Sequence, residues 1–348
     1  MTSPLAVGKL PFELLAPMLA AAPISDDRVL LGPQIGVDCA VIDLGDRLLV
    51  LKSDPITFAT AEIGWYLVQV NCNDIATTGA LPRWLLLTML LPEGKTTPEL
   101  VTQISDQVYA ACREMNISVI GGHTEITYNL DRPILMGTLI GEVDREQLVT
   151  PQGLSPGDQI LLTKGVPIEG TAILAREFPQ RLQGVLDQAE LTSAQNFLRN
   201  PGISVLRDAQ IAQKAGHVTA MHDPTEGGLS GALWELADAA SCSLVVDLTA
   251  VPIPPLSARV CDAFGLDPLA TIASGALLLA AQPIDAAAIQ AALVGEGIQC
   301  AIIGRVAEGP PTVWQETPTG YRLLPRPTND EIGKVVTAEA VGHDNNPN

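Results

Sequence analysis

The chain has 348 residues, of which 47% are hydrophobic, 17% charged and only 4% aromatic. Such a composition excludes a disordered chain. It allows about two domains at roughly 150 residues each, with cores of Ala, Leu, Ile and Val suited to α/β layers. A net charge of -19 and a pI near 4.4 exclude recruitment by nucleic-acid backbones or anionic membranes, but not binding of a nucleotide whose phosphates are screened by metal ions.

Residues 1–23 are apolar, yet Lys9 is followed by Pro11, Glu13 and Pro17, which reads against a secretory signal. The pattern then predicts strands over 37–44 and 48–52 around a Gly45-Asp46 turn, a helix over 61–79 and a buried strand over 85–91. A further helix begins at Thr97-Pro98-Glu99, where a cap, a first-position proline and a first-turn acid coincide, and runs to 115. Strands over 117–120 and 134–141 complete the first half. The Gly- and Pro-rich run Thr150-Pro151-Gln152-Gly153-Leu154-Ser155-Pro156-Gly157-Asp158 marks a boundary, giving domains over 1–150 and 151–330 and a disordered tail over 331–348. In the second half a strand over 159–163 and a helix from 168 precede helices over 193–199, 205–215, 227–240, 256–264 and 285–293. Strands over 244–246, 276–280 and 301–304 interleave with them, an alternation that indicates α/β layers. No run approaches the ~18 apolar residues of a membrane span. Cysteines 39, 72, 112, 242, 261 and 300 form no CxxC pair and read as reduced core residues of a cytoplasmic protein.

Six short strings set carboxylates among small or apolar residues: Ile35-Gly36-Val37-Asp38, Lys52-Ser53-Asp54-Pro55, Asn71-Cys72-Asn73-Asp74, Gly121-Gly122-His123-Thr124-Glu125, Ile168-Glu169-Gly170-Thr171 and His222-Asp223-Pro224-Thr225-Glu226-Gly227-Gly228. Isolated acids are costly to bury unless a positive partner meets them. Mg²⁺ meets that need, because it takes hard oxygen ligands and bridges protein carboxylates to phosphates. The Asp223 string precedes a helix opening on two glycines, where backbone N–H groups face an anion, or where an ordinary cap stands. The Gly121 string follows a buried strand, so its side chains emerge at a strand end, where ligand sites collect in α/β folds. Lys9 either folds over phosphates or is a solvated lysine, and His222 and Glu226 are candidates for proton transfer. No GxxxxGK[ST], strand-linked GxGxxG or GxSxG string is present.

Taken in order, these strings resemble the aminoimidazole ribonucleotide (AIR) synthase superfamily of ATP-binding enzymes. Its HypE branch is the most similar, on Asp223-Pro224-Thr225 with Gly227-Gly228 and on Phe264-Gly265-Leu266-Asp267-Pro268-Leu269. The resemblance implies a two-domain α/β (α+β) protomer, with the N-terminal domains of two subunits pairing into a shared β-barrel and a C-terminal α/β domain. It further implies a homodimer binding ATP and Mg²⁺, with Asp38, Asp54, Asp74 and Asp223 as metal ligands and Asn73, Gly122, Thr124 and Glu125 on the nucleotide; the residue reading adds Lys9, Gly121 and His123 to the nucleotide side. Asp223 and His222 are then the catalytic pair, and the chemistry is transfer of the γ-phosphate to an oxygen of a small-molecule or protein-bound substrate. Departures are specific. Val37 and His123 stand where the branch has acids, Ala273-Ser274-Gly275 replaces Asn-Glu-Gly, and 342–348 lack the branch's terminal cysteine. Two alternatives follow: a non-catalytic nucleotide-binding partner in a maturation complex, and a small-molecule kinase similar to thiamine monophosphate kinase.

Overall fold

The computed structural model describes residues 5, 10–57 and 61–335. Its first half contains α1 (Phe12–Ala20), β1 (Val29–Leu31), β2 (Ala40–Asp43), β3 (Leu48–Ile56), α2 (Ile63–Thr77), β4 (Leu81–Pro92), α3 (Pro98–Glu114), β5 (Ser118–Thr127) and β6 (Ile134–Val143). The strands form one sheet in the order β1-β2-β3-β6-β4-β5, antiparallel except where β4 runs parallel to β5. Alternation along the strands makes it one-sided. Val50, Leu85, Leu87, Leu135 and Leu139 point into the core against Leu67, Ile75 and Val108 of α2 and α3, while Ser53, Leu86 and Met136 face outward and are exposed. Burying side chains such as Leu67 and Ile75 is worth about 2–3 kcal/mol each. The helix start read at Thr97 is present: its side chain accepts a hydrogen bond from the Leu100 N–H at 3.2 Å, with proline following.

The second half contains β7 (Gln159–Thr163), α4 (Ile168–Glu177), α5 (Gln188–Gln195), α6 (Leu206–Ala215), β8 (Val218–His222), α7 (Gly228–Ala240), β9 (Ser243–Val246), α8 (Pro255–Phe264), β10 (Leu278–Ala281), α9 (Pro283–Gly295), β11 (Cys300–Ala307), β12 (Thr312–Thr317) and β13 (Gly320–Leu323). Its sheet runs β13-β12-β9-β11-β7-β10-β8 and is covered on both faces. Ile160, Leu162, Leu278 and Ala280 pack toward α7, whereas Leu161, Leu279 and Ala281 pack toward α6 and α9. A satellite cluster joins α4, α5 and α8. The fold is thus mixed α/β, one two-layer and one three-layer unit.

Several expectations are corrected. The strand predicted from 37 begins only at Ala40, leaving Asp38 in a loop. The strand predicted over 117–120 extends to Thr127 and carries the Gly121 string within it, and as an edge strand it is exposed nearly throughout rather than buried. Strands β1, β8, β12 and β13 were absent from the sequence reading. Four are three to six residues long and lack a periodic signature distinct from their flanks. All six cysteines are buried and free. Of the tail predicted over 331–348, residues 332–335 form a helical turn whose Ile332 and Val335 join the α8 cluster; residues 336–348, like Lys9, lie outside the described residues. Among the described residues no helix is long and apolar enough to cross a membrane.

The halves share a seam along α2. Ile168, Ala172 and Ile203 pack into the first core. Asn73 Nδ2 donates to the Ile203 carbonyl at 2.8 Å and its Oδ1 accepts from the Val205 N–H at 2.9 Å. Glu62 accepts from Arg176 and Arg199, and Arg199 lies over the Trp65 ring at 3.8 Å.

Candidate interdomain carboxylate site

Four of the predicted acids converge at this seam from four separate elements. Asp38 comes from the loop before β2, Asp54 from β3, Asp74 from the inner face of α2, and Asp223 from the loop that follows β8. The loop carrying Asp38 reaches α7 because of Gly36, whose φ is +71° and whose missing Cβ would stand 2.5 Å from the Glu235 carbonyl oxygen. No L-residue with a side chain takes that position without strain.

The strings did not single out the cation that meets these acids. Lys52 lies two residues before Asp54, hence on the same face of β3, and its Nζ is 3.3 Å from Asp54 Oδ2 and 3.2 Å from Asp74 Oδ2. Burial opposes its charge, but Asp74, Asp38 and Asp54 outweigh burial and hold the ammonium above its usual range. The i, i+2 spacing on a strand was the available signal.

Asp223 is the acid that lacks such a partner. It is 1% exposed, and neither carboxylate oxygen accepts a hydrogen bond from another residue. Burial, reinforced by Asp38, pushes its carboxyl up to about 7. Burial likewise pushes Asp74 well above the usual carboxylate range. A ligand atom from each of Asp38, His222 and Asp223 lies within 4.8 Å of the others, an arrangement able to hold a cation.

His222 sits at the end of β8, 5% exposed, with both ring nitrogens engaged. Nδ1 is 3.0 Å from Asp38 Oδ2 and Nε2 is 3.0 Å from Glu235 Oε2 on α7. Burial opposes protonation, but the two carboxylates outweigh it and raise the imidazole well above its ordinary range. The residue read as a candidate for proton transfer thus has both ring nitrogens facing carboxylates of its own chain. Glu235 was not foreseen, since nothing local in the helix sequence marks it.

Other predicted residues lie elsewhere. Asn73 is fully buried, with both polar ends of its amide bonded to the 203–205 backbone, so its nucleotide reading gives way to an interdomain tie. The α7 N-terminus is not an open anion site. The Gly227 N–H donates to Asp330 at 2.7 Å, the Gly228 N–H to Thr225 O and the Ser230 N–H to Leu269 O. Gly228 is required because a Cβ there would stand 2.6 Å from the Leu269 carbonyl oxygen, so the close approach is to protein backbone.

The Gly121 string is three strands away from Asp54. Pairing aligns Asp54 with Gly137, Gly137 with Leu87 and Leu87 with Gly122, a span of about 14 Å at strand spacing. Gly122 and Thr124 share the face of Asp54, whereas His123 and Glu125, 3.1 Å apart, stand on the outer face. One chain therefore does not bring this string to the acids.

Glu169, in the first turn of α4, is 6% exposed with Oε2 unpartnered. Burial pushes it up to about 7, against hydrogen bonds from Ser274 and with Glu226 and Asp330 adding to the rise. A cleft of about 780 Å³ runs along α3 past Trp65, Asp106 and Arg199 and contains none of these acids.

Comparison with known proteins matches residues 36–143 to the AIR synthase related protein N-terminal domain and residues 155–314 to its C-terminal domain. A carbamoyl dehydratase HypE from Cupriavidus necator is 31% identical over 73% of this chain and 70% of its own length. A hydrogenase expression/formation protein of Methanocaldococcus jannaschii is 29% identical over 86% of this chain and 88% of its own. The crystal structure of a hydrogenase maturation protein HypE in complex with ATP is similar at a TM-score of 0.65 and 25% identity, covering 90% of each chain.

Proposed function

Because the chain belongs to the AIR synthase related family, we propose that it is an ATP-dependent enzyme of hydrogenase maturation, which uses Mg²⁺ and ATP to phosphorylate, and so activate, an oxygen of its substrate. The observation that carries this reading is the meeting of Asp38, Asp54, Asp74 and Asp223 from both halves, with Asp223 buried and unpartnered. Asp38 and Asp223 fit Mg²⁺ as hard oxygen donors. Asp54 and Asp74 are already met by Lys52 and fit it less directly. When bound, the ion neutralises charge developing on the transferred phosphoryl group. Lys52 holds positive charge at the same point, and burial keeps water from Asp74 and Asp223.

The nucleotide-side residues are supplied by a second copy. The outer face of the first sheet exposes Leu86 and Met136, and β5 leaves a free sheet edge beside it, features that pairing of two protomers covers. His123 and Glu125 stand on that face. Light scattering should give twice the chain mass; a monomer at micromolar concentration would remove this part.

The test of activity is ADP formation from Mg²⁺-ATP with amide-bearing acceptors. Asp223→Asn should lower turnover at least 100-fold, and unchanged turnover would sink the assignment. Commitment of both His222 nitrogens and the serine at 274 favour a second reading, a nucleotide-binding maturation partner. ATP binding without ADP formation selects it. Phosphate found on a small-molecule acceptor would instead select a kinase.

A further inference from the structure

We propose that the Lys52 ammonium stands in the place of a metal ion between Asp54 and Asp74, so that each chain holds one divalent ion, at Asp38 and Asp223, rather than one at each pair of acids. The proposal rests on the Mg²⁺-ATP reading of the seam and departs from the four-ligand set that the family resemblance implies. Two observations carry it. The first is that the four acids divide unequally. Nζ of Lys52 lies 3.3 Å from Asp54 Oδ2 and 3.2 Å from Asp74 Oδ2, bridging the two carboxylates. His222, by contrast, divides its nitrogens between Asp38 and Glu235, and neither oxygen of Asp223 accepts a hydrogen bond from another residue. A ligand atom of Asp223 lies within 4.8 Å of one from Asp38. One pair thus shares a cation of the chain's own, and the other leaves a buried anion open to an incoming ion.

The second observation is where the strand puts the lysine. Lys52 shares the inner face of β3 with the buried Leu48 and Val50, opposite the helix that carries Asp74, and its side chain is only 14% exposed. The ammonium is therefore held on the core side, with the two acids as its partners. Mg²⁺ takes its ligands at about 2.0–2.1 Å, so an ion on these two oxygens would claim the ammonium's own position. Like charges at that separation repel strongly, and one must leave. An ammonium has three donors; the carboxylates face two of them, which leaves the third for a phosphate oxygen. Lys52 then meets the phosphate tail at any divalent concentration, and only the ion at Asp38 and Asp223 has to be taken up from solution.

Tag-free full-length protein, stripped with chelator and dialysed, is titrated with Mn²⁺ in the absence of nucleotide, and bound ions are counted by the paramagnetic resonance of the free ion. Expected are one Mn²⁺ on the unaltered chain and two on Lys52→Met, the pair broadening each other's signal. Urea unfolding separates this from a merely structural lysine. Added Mn²⁺ should stabilise Lys52→Met more than the unaltered chain, because the second ion binds only the folded form. Asp54→Asn should weaken the single Mn²⁺ less than threefold and Asp223→Asn at least tenfold, a comparison that stands if Lys52→Met does not fold. Any count other than one on the unaltered chain, a count of one on folded Lys52→Met, or Asp54→Asn as costly as Asp223→Asn would overturn the proposal. A separate titration with a non-hydrolysable ATP analogue tests the reading beneath it: one Mn²⁺ without analogue binding would remove the nucleotide and leave the lysine in the ion's place.

Discussion

Glu169→Gln isolates the cost of a buried acid. The carboxyl moves from an ordinary value of 4.5 to about 7 in the fold, chiefly through burial, with Glu226 and Asp330 adding and Ser274 opposing. Since the folded value is raised, the associated stability is complete below pH 4.5 and is lost as pH rises through about 7. Each tenfold change in proton affinity is worth about 1.4 kcal/mol, so the whole window amounts to about 3 kcal/mol. Glutamine keeps the shape and cannot ionise. Urea unfolding of both proteins at equal concentration should therefore give a stability difference that moves in favour of the variant by about 3 kcal/mol from pH 4.5 to pH 8.5, level beyond it. A difference constant with pH would refute the assignment of Glu169 as a neutral buried acid.

Two further substitutions test the seam. Asn73→Ala strands the Val205 N–H and the Ile203 carbonyl in the core and should cost about 2–4 kcal/mol in urea unfolding; unchanged stability with weakened ATP binding would restore the nucleotide reading of Asn73. Lys52→Met leaves Asp54 and Asp74 without their shared cation and should cost about 3–5 kcal/mol in chelator, and a loss under 1 kcal/mol would show that the ammonium is not what neutralises them.

The sequence made the elements with strong periodicity legible: α3 is capped where Thr97 and Pro98 place it, and the β2–β3 hairpin turns at Gly45. The acids were legible as well: the six strings held them among small or apolar residues, the family resemblance singled out Asp38, Asp54, Asp74 and Asp223, and these four meet. What surrounds them was legible only in part. Lys52 stands two residues before Asp54, a local signal, but its pairing with Asp74, like that of Glu235 with His222, joins distant elements that no local pattern encodes. The α7 glycines were read toward a ligand, although the group that approaches them is backbone from 269–271 and the anion at Gly227 is the chain's own Asp330. His123 and Glu125 were grouped with the acids by motif order, yet strand alternation turns them to the opposite face.

The most direct test of the central claim is calorimetric titration of ATP into the full-length protein, first with Mg²⁺ and then with EDTA, alongside Asp223→Asn. The account expects binding with Mg²⁺ that is lost in EDTA and weakened at least tenfold in the variant. Absence of binding with Mg²⁺, or equal affinity in all three conditions, would contradict a metal-dependent nucleotide site at the interdomain carboxylates.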